Sequence, residues 1–283
     1  MKKHLVRLIP SFLRPILRSI YVFPLGIIDR LGNRNSMVPP RSLIYFGGGD
    51  FEKIGQLFKG YFIDLANLQP EHRVLDVGCG TGRMAVPLTD YLSEKGEYWG
   101  FDIIKKGIEW CQENISKKFR NFHFLHSDVY SRHYNASGKI NANEYVFPFD
   151  SGYFDLVILT SVFTHMLPPD LENYVAEVSR VLKPGGRCVI TFFLMTEESE
   201  ALIRSGHSSL IFKDRIEGCF TTNRNDPEAA IAYDETDVQE IYRRNGLAIT
   251  QPTRYGSWCK RKDFLTYQDL IIAAKGQMPP GAG

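Results

Sequence analysis

The chain is thin in the features that mark several protein classes. Its five cysteines, at 79, 111, 188, 219 and 259, are odd in number and scattered, with no C-x-x-C pair. That pattern supports neither a disulfide framework nor a zinc site and fits a reducing compartment. No stretch approaches the roughly 20 apolar residues a membrane-spanning helix needs. Repeats and low-complexity tracts are missing, and the formal net charge is only +2. So small an imbalance points to no particular partner class. A length of 283 residues suits one large domain or one domain with appendages.

The charge is unevenly placed. Residues 1–41 carry eight Lys or Arg and one acid, Asp29; the rest carries 26 basic and 31 acidic residues. Along the arm, His4, Arg7, Ser11, Arg14 and Arg18 recur every three or four residues. Leu5, Leu8, Ile9, Phe12, Leu13, Ile16, Leu17 and Ile20 fill the opposite face. This is helical amphipathicity with a basic stripe, able to lie on an anionic membrane surface. Pro10 and Pro15 imply a kinked or two-piece helix. The longest uncharged run in the arm, Ser19–Ile28, is ten residues. Arginines interrupt the apolar stretch and no clear cleavage site follows, which argues against a signal peptide. The alternatives are peripheral contact with the inner face of the membrane through residues 4–31, and packing on the protein's own body or on a second subunit.

From about residue 72, β-rich apolar runs alternate with helical patterns. Strands are expected at Arg73–Val77, Tyr98–Asp102, Phe122–His126, Phe154–Thr160, Arg187–Leu194, Leu247–Pro252 and Gln268–Ala274. Helices are expected at Thr81–Ser93, Lys105–Lys118, Asp170–Leu182 and Glu235–Asn245. Alternation of this kind predicts an α/β fold with a largely parallel sheet covered on both faces. Two stretches break the rhythm, at about 130–148 and 196–233. Long insertions of this kind are commonly lids or binding loops. The expected organisation is an arm over 1–41, a domain over 42–276 and a tail over 277–283.

The most informative run is Val74-Leu75-Asp76-Val77-Gly78-Cys79-Gly80-Thr81-Gly82-Arg83. A strand feeds a turn with glycines at alternate positions, and glycine permits both tight turns and close approach of a ligand. The strict dinucleotide fingerprint G-x-G-x-x-G fails, because Arg83 stands at its third glycine. Asp76 adds a carboxylate at the strand end, suited to a ligand's ammonium group rather than a pyrophosphate. Asp102 closes the next strand, about 20 residues on, where a carboxylate fits a ribose diol. Asp128, in Ser127-Asp128-Val129 after the third strand, stands where an adenine amino group could be read.

These residues together resemble the class I S-adenosylmethionine (SAM)-dependent methyltransferases, particularly the broad bacterial group with a type 11/12 methyltransferase domain. Val74–Arg83 is similar to that family's first motif, Gly100–Ile103 to its second and Ser127–Val129 to its third. Val181-Leu182-Lys183-Pro184-Gly185-Gly186-Arg187 is similar to its turn into strand five. The resemblance implies a Rossmann-like seven-stranded sheet whose last strand is antiparallel. It implies SAM as cofactor, with Asp76, Gly78 and Gly80 around the methionyl part, Asp102 on the ribose, and Asp128 with Val129 at the adenine. Cys79, Gly82, Ile103 and Thr160 complete the expected cofactor-binding set. Tyr45–Phe51 lies where the family often has a segment closing over SAM.

Methyl transfer to an alcohol benefits from a general base, and histidine titrates near neutrality. His165, just past the fourth strand, is the expected base; the alternative is a structural or helix-capping histidine. The family's branches that methylate adenine or glutamine carry an Asn/Asp-Pro-Pro-Tyr-type motif after strand four, where this chain reads Leu159-Thr160-Ser161-Val162. That departure and the mildly acidic body argue against a nucleic-acid acceptor. Tyr134–Gly138 and Tyr255–Trp258 offer aromatic faces beside hydrogen-bonding groups, which suits sugars or ring compounds. The ensemble resembles bacterial methyltransferases encoded with glycan-assembly enzymes. The expected reaction is O-methylation of a saccharide or glycolipid, in the cytoplasm or peripherally at the membrane. The alternatives are O- or N-methylation of a soluble small metabolite and a non-catalytic SAM-binding scaffold.

Overall fold

A computed structural model describes residues 36–44 and 49–276. The amphipathic arm, the tail and most of the Tyr45–Gly49 stretch lie outside the described residues. Helix α1 (Phe51–Asp64) begins where the Asp50 side chain accepts the Glu52 and Lys53 amides, both at 3.1 Å. This satisfies two of the amides that every helix start leaves open.

The body is a seven-stranded sheet. Its strands are β1 (Arg73–Val77), β2 (Glu97–Asp102), β3 (Phe122–His126), β4 (Phe154–Leu159), β5 (Leu182–Phe192), β10 (Leu247–Ile249) and β11 (Asp269–Lys275). Their order is β10-β11-β5-β4-β1-β2-β3. Strands β3, β2, β1, β4 and β5 pair in parallel, and β11 runs antiparallel to β5 and to β10. The last strand in the chain is therefore the antiparallel one.

Side chains alternate between the two faces of a strand. Leu75, Val77, Phe101, Val157, Leu159 and Ile190 bury on one face against α3 (Pro168–Val181) and α5 (Glu235–Arg244). Val74, Tyr98, Phe122, Phe124, Leu156, Ile158 and Val189 bury on the other, against α1 and α2 (Lys105–Cys111). Helix α2 runs into a π-helical turn, Gln112–Ser116.

Two expectations need correction. Thr81–Ser93 is a chain of turns around a single 3-10 turn, Val86–Leu88, instead of an α-helix. Gly82 has φ +75°, which no right-handed helix contains, and Pro87 has no amide to donate. The second insertion is also more than a loop. It holds α4 (Glu197–Arg204) and the strands β7 (Asp214–Ile216), β8 (Cys219–Thr221) and β9 (Ile231–Asp234). With β6 (Leu194–Met195) these make a separate four-stranded sheet, β6-β9-β8-β7. The first insertion is largely irregular. One face of α3 fastens it: Asn173 donates to the Ala142 and Tyr145 carbonyls, both at 2.9 Å. Glu177 accepts the Phe147 amide at 2.6 Å, and Arg180 donates to the Phe147 and Phe149 carbonyls.

A buried polar hub joins the two sheets. Asp269, fully buried at the start of β11, accepts from the Leu194 and Gly256 amides and from the Trp258 indole, each at 2.7 Å. Arg261, itself buried, donates to Asp269 at 3.1 Å, to Glu198 at 2.9 Å and to Thr196 at 3.1 Å. Breaking a buried ion pair by removing one partner costs about 3–5 kcal/mol. Asp269→Ala should lose at least that much in urea unfolding followed by tryptophan fluorescence, whereas Arg243→Ala, at an exposed pair, should leave the urea midpoint nearly unchanged.

Candidate active site

In open α/β sheets the functional crevice lies beyond the carboxyl ends of the strands, where the strand order reverses. Here that point is between β1 and β4, and the glycine turn leaves β1 there. Gly78, Gly80 and Gly82 all have positive φ, 76°, 56° and 75°. A Cβ built on Gly78 would stand 2.6 Å from Val162 Cγ2, so the loop after β4 lies directly on the turn. A Cβ on Gly80 would meet nothing within 4 Å. Gly82 faces inward instead: a Cβ there would stand 2.7 Å from Ile115 and 3.2 Å from the Cys111 sulfur.

Asp76 and Asp102 lie on the same face of neighbouring strands; Asp76 pairs with Gly100, which Tyr98 and Asp102 flank on that face. Asp76 is almost fully buried, and one of its oxygens accepts from the Tyr98 hydroxyl. Its other oxygen, Oδ1, is buried with no hydrogen-bond partner. An orphaned carboxylate oxygen in an apolar setting is costly unless a donor reaches it. Burial raises the Asp76 carboxyl to about 7, the Tyr98 hydroxyl opposes that shift, and nearby Asp102 adds to it. Asp102 accepts the Gly80 amide at 2.8 Å and the Ile104 amide at 2.7 Å. Burial raises its pKa, and those amides work against the shift.

The remaining expected residues fall around this pair. Cys79 is buried, and its sulfur would stand 2.9 Å from a Cβ on Gly100, on the sheet face that carries Asp76 and Asp102. Burial pushes that thiol well up. Ile103 is half-buried and its carbonyl accepts from His126 at 3.2 Å. Asp128 is half-buried, and its carbonyl accepts the Lys139 and Ile140 amides. The Val129 side chain is buried in the core. Thr160 is half-buried at the first position past β4.

His165 sits in a 3-10 turn, Phe163–His165. Its Nδ1 is 2.8 Å from the Glu228 carbonyl oxygen, and Tyr134 stands edge-on at 5.8 Å. A carbonyl only accepts, so Nδ1 carries the proton and Nε2 keeps its lone pair. Burial lowers the His165 pKa, with His133 adding to the fall and the Glu228 carbonyl opposing it. The two insertions meet beside it, through His133 to Asp226 at 2.8 Å and Arg132 to the Asn225 carbonyl at 3.4 Å. Two open concavities, about 330 and 500 Å³, are lined by none of the glycine-turn residues. The site therefore rests on its polar chemistry and on its place in the sheet. Tyr98, Glu228, Ser161 and Thr191 were not legible as site residues. Tyr98 could have been found, since it shares a strand face with Asp102.

Comparison with known proteins decides the family. A family model described as a methyltransferase domain matches residues 68–246, well over half of the chain. This chain belongs to the methyltransferase-domain family. Its fold makes it a class I domain, and the family's methyl donor is SAM. Among curated relatives, the chain is 22% identical over 232 residues to the tRNA N(3)-cytidine methyltransferase METTL2 of Gallus gallus, covering 80% of this chain and 56% of that protein. It is 30% identical over 141 residues to the ubiquinone/menaquinone biosynthesis C-methyltransferase UbiE of Vibrio vulnificus, covering 50% of this chain and 48% of that one. The chain thus spans about half the length of the curated relatives it matches. Among solved structures, magnesium protoporphyrin IX methyltransferase of Synechocystis, determined with bound S-adenosylhomocysteine (SAH), aligns with a TM-score of 0.52 at 16% identity over 93% of this chain and 100% of that one. The PH0226 protein of Pyrococcus horikoshii aligns with a TM-score of 0.55 at 19% identity, over 81% and 92%. At such identities the likeness is one of fold.

The methyltransferase domain's orphaned Asp76 oxygen and the open space over Gly80 fit the ammonium-bearing, amino-acid end of SAM. The fold favours the neutral Asp76 carboxyl, so that stabilisation is full below about pH 4 and disappears as pH rises to about 7. Asp76→Asn should therefore have a higher urea midpoint than the parent at pH 8 and nearly the same midpoint at pH 4.

Proposed function

We propose that this methyltransferase O-methylates a hydroxyl of a saccharide or glycolipid acceptor, with His165 as general base. The observation that carries this reading is the His165 ring: Nδ1 is committed to the Glu228 carbonyl and Nε2 is left basic beside the loop that packs on Gly78. An amine acceptor needs no such base once deprotonated; an alcohol gains from one.

In this reading Asp76 pairs with the ammonium of SAM, the Gly78–Gly80 backbone lies against its methionyl part, and Asp102 holds the ribose diol. Asp128, Ile103 and Val129 border the adenine, and Thr160 lines the crevice past β4. Cys79 contributes backbone alone, and Gly82 serves packing. Bound SAM supplies a methyl carbon on a positively charged sulfur. His165 Nε2 takes the hydroxyl proton of the acceptor, and Tyr134, edge-on to the ring, limits its rotation. The first insertion, clamped to α3, and the second insertion's Asn225–Glu228 segment exclude water from that proton transfer. Tyr134–Gly138 and Tyr255–Trp258 offer stacking and hydrogen-bonding groups to a hydroxylated ring. The basic face of residues 4–31 would bring the protein to an anionic membrane surface carrying a lipid-linked acceptor. No helix among the described residues is long and apolar enough to cross a membrane.

A strain lacking the protein should lose an O-methyl sugar from its glycans, read by sugar-methyl analysis of hydrolysates; unchanged content would sink the saccharide reading. His165→Ala should keep its SAH affinity in calorimetry while methyl transfer falls about 10²- to 10⁴-fold. Because burial lowers the His165 pKa, the base form prevails at neutral pH. The parent's rate should therefore level off below pH 6.5, and Asp76→Asn, by contrast, should lose SAH affinity itself.

A further inference from the structure

Beside the glycine turn lies a small hydrogen-bonded unit that the reaction above does not use. Ser161, two positions past β4, has φ +61°. Left-handed backbone at a residue with a side chain is strained and persists only where surroundings impose it. Its neighbour Val162 is the residue packed on Gly78. The Ser161 amide donates to Thr191 Oγ1 at 2.8 Å, and its hydroxyl donates to Gln268 Oε1 at 3.0 Å. Thr191, near the end of β5 and almost fully buried, donates to the same Gln268 oxygen at 2.7 Å.

The Gln268 carbonyl oxygen faces both hydroxyls and accepts from each. Two donors fill its two lone pairs. What remains is Nε2, with two N–H groups and no protein partner among the described residues. Gln268 is half-buried, and the preceding Tyr267 is half-exposed, with its ring edge-on to Phe193 at 6.1 Å. Ser161 follows β4, Thr191 and Phe193 lie at the end of β5 and Gln268 precedes the antiparallel β11, so the four stand at the same carboxyl edge of the sheet as Asp76.

We propose that Gln268 Nε2 is the specificity-determining donor for the methyl acceptor, binding a ring oxygen adjacent to the reacting hydroxyl while the Tyr267 ring covers the ring face. Ser161 is a positioning residue: its strained backbone exists to hold the Gln268 amide in this one orientation. The ligand chemistry is a hydroxylated ring with a neighbouring acceptor oxygen, which saccharides and hydroxyaryl compounds share. This inference rests on the acceptor reading given above and deepens it. A site built to donate to an oxygen discriminates strongly against analogues lacking it, because the amide would otherwise be buried unpaired.

The test uses full-length, nitrogen-15-labelled protein saturated with SAH and titrated with methyl α-D-glucopyranoside and, separately, hydroquinone. The Gln268 side-chain amide pair is identified by its loss in Gln268→Glu, which can still accept from both hydroxyls but has no N–H to donate. At least one probe should shift that pair. Its affinity should drop at least tenfold in Gln268→Glu and in Ser161→Gly, with SAH affinity within twofold and no loss of melting temperature. Ser161→Gly relieves the backbone strain, so a stability defect cannot mimic the result. Which probe acts separates a saccharide from a hydroxyaryl acceptor. If neither probe moves the amide pair, or if Gln268→Glu binds the probe as tightly as the parent, the proposal is overturned. A probe that binds through Gln268 but is never methylated when SAM replaces SAH defeats the O-methylation reading and supports this one.

Discussion

Two carboxylates held in apolar surroundings, at the ends of adjacent parallel strands, constrain everything around them. Asp76 and Asp102 are each buried, and a buried carboxylate is tolerated only where donors meet it. Asp102 has two backbone amides, one from the glycine turn after β1 and one from the turn after its own strand. Asp76 has one tyrosine and one oxygen with nothing. The fold bears this unfavourable arrangement at the one place where its topology opens a crevice. Local strain and unsatisfied polarity concentrate where a protein binds or reacts, and Ser161, whose neighbour Val162 packs on Gly78, adds backbone strain beside them.

The second constraint is the Asp269–Arg261 hub. Its partners come from β6, α4, the 253–267 segment and β11. An ion pair with this much hydrogen bonding fixes geometry more than it adds stability. It ties the four-stranded sheet of the second insertion to the antiparallel end of the main sheet. Gln268 precedes Asp269, so the hub also fixes where that glutamine enters the crevice. On the opposite side, Asn173, Glu177 and Arg180 hold the first insertion by its carbonyls and one amide. The two insertions then touch through His133 and Asp226, and His165 lies beneath that contact.

Much of this was legible in the chain. The β-rich runs from Arg73 to His126 and at Phe154–Leu159 became strands within a residue or two, because a parallel sheet buried on both faces demands continuous apolar side chains. The glycine turn was legible because few residues can adopt its dihedrals. Thr81–Ser93 misled, because the helical spacing of its apolar residues outweighed, on paper, a glycine at positive φ and a proline. The second insertion also misled, since its short strands pair with β6 and with one another across gaps that no local pattern reveals.

The sequence by itself determined the class: acid, glycines and a second acid at strand ends follow from local chemistry, and such chemistry is written in consecutive residues. It also determined which histidine to consider. Tertiary structure alone decided that Nδ1 of His165 is tied to a carbonyl 63 positions away, that one Asp76 oxygen is orphaned, and that Ser161, Thr191 and Gln268 form one unit. These are statements about where hydrogen bonds end. A hydrogen bond acts over about 3 Å in space, and a sheet whose neighbouring strands lie far apart in the chain brings together partners that sequence spacing cannot reveal.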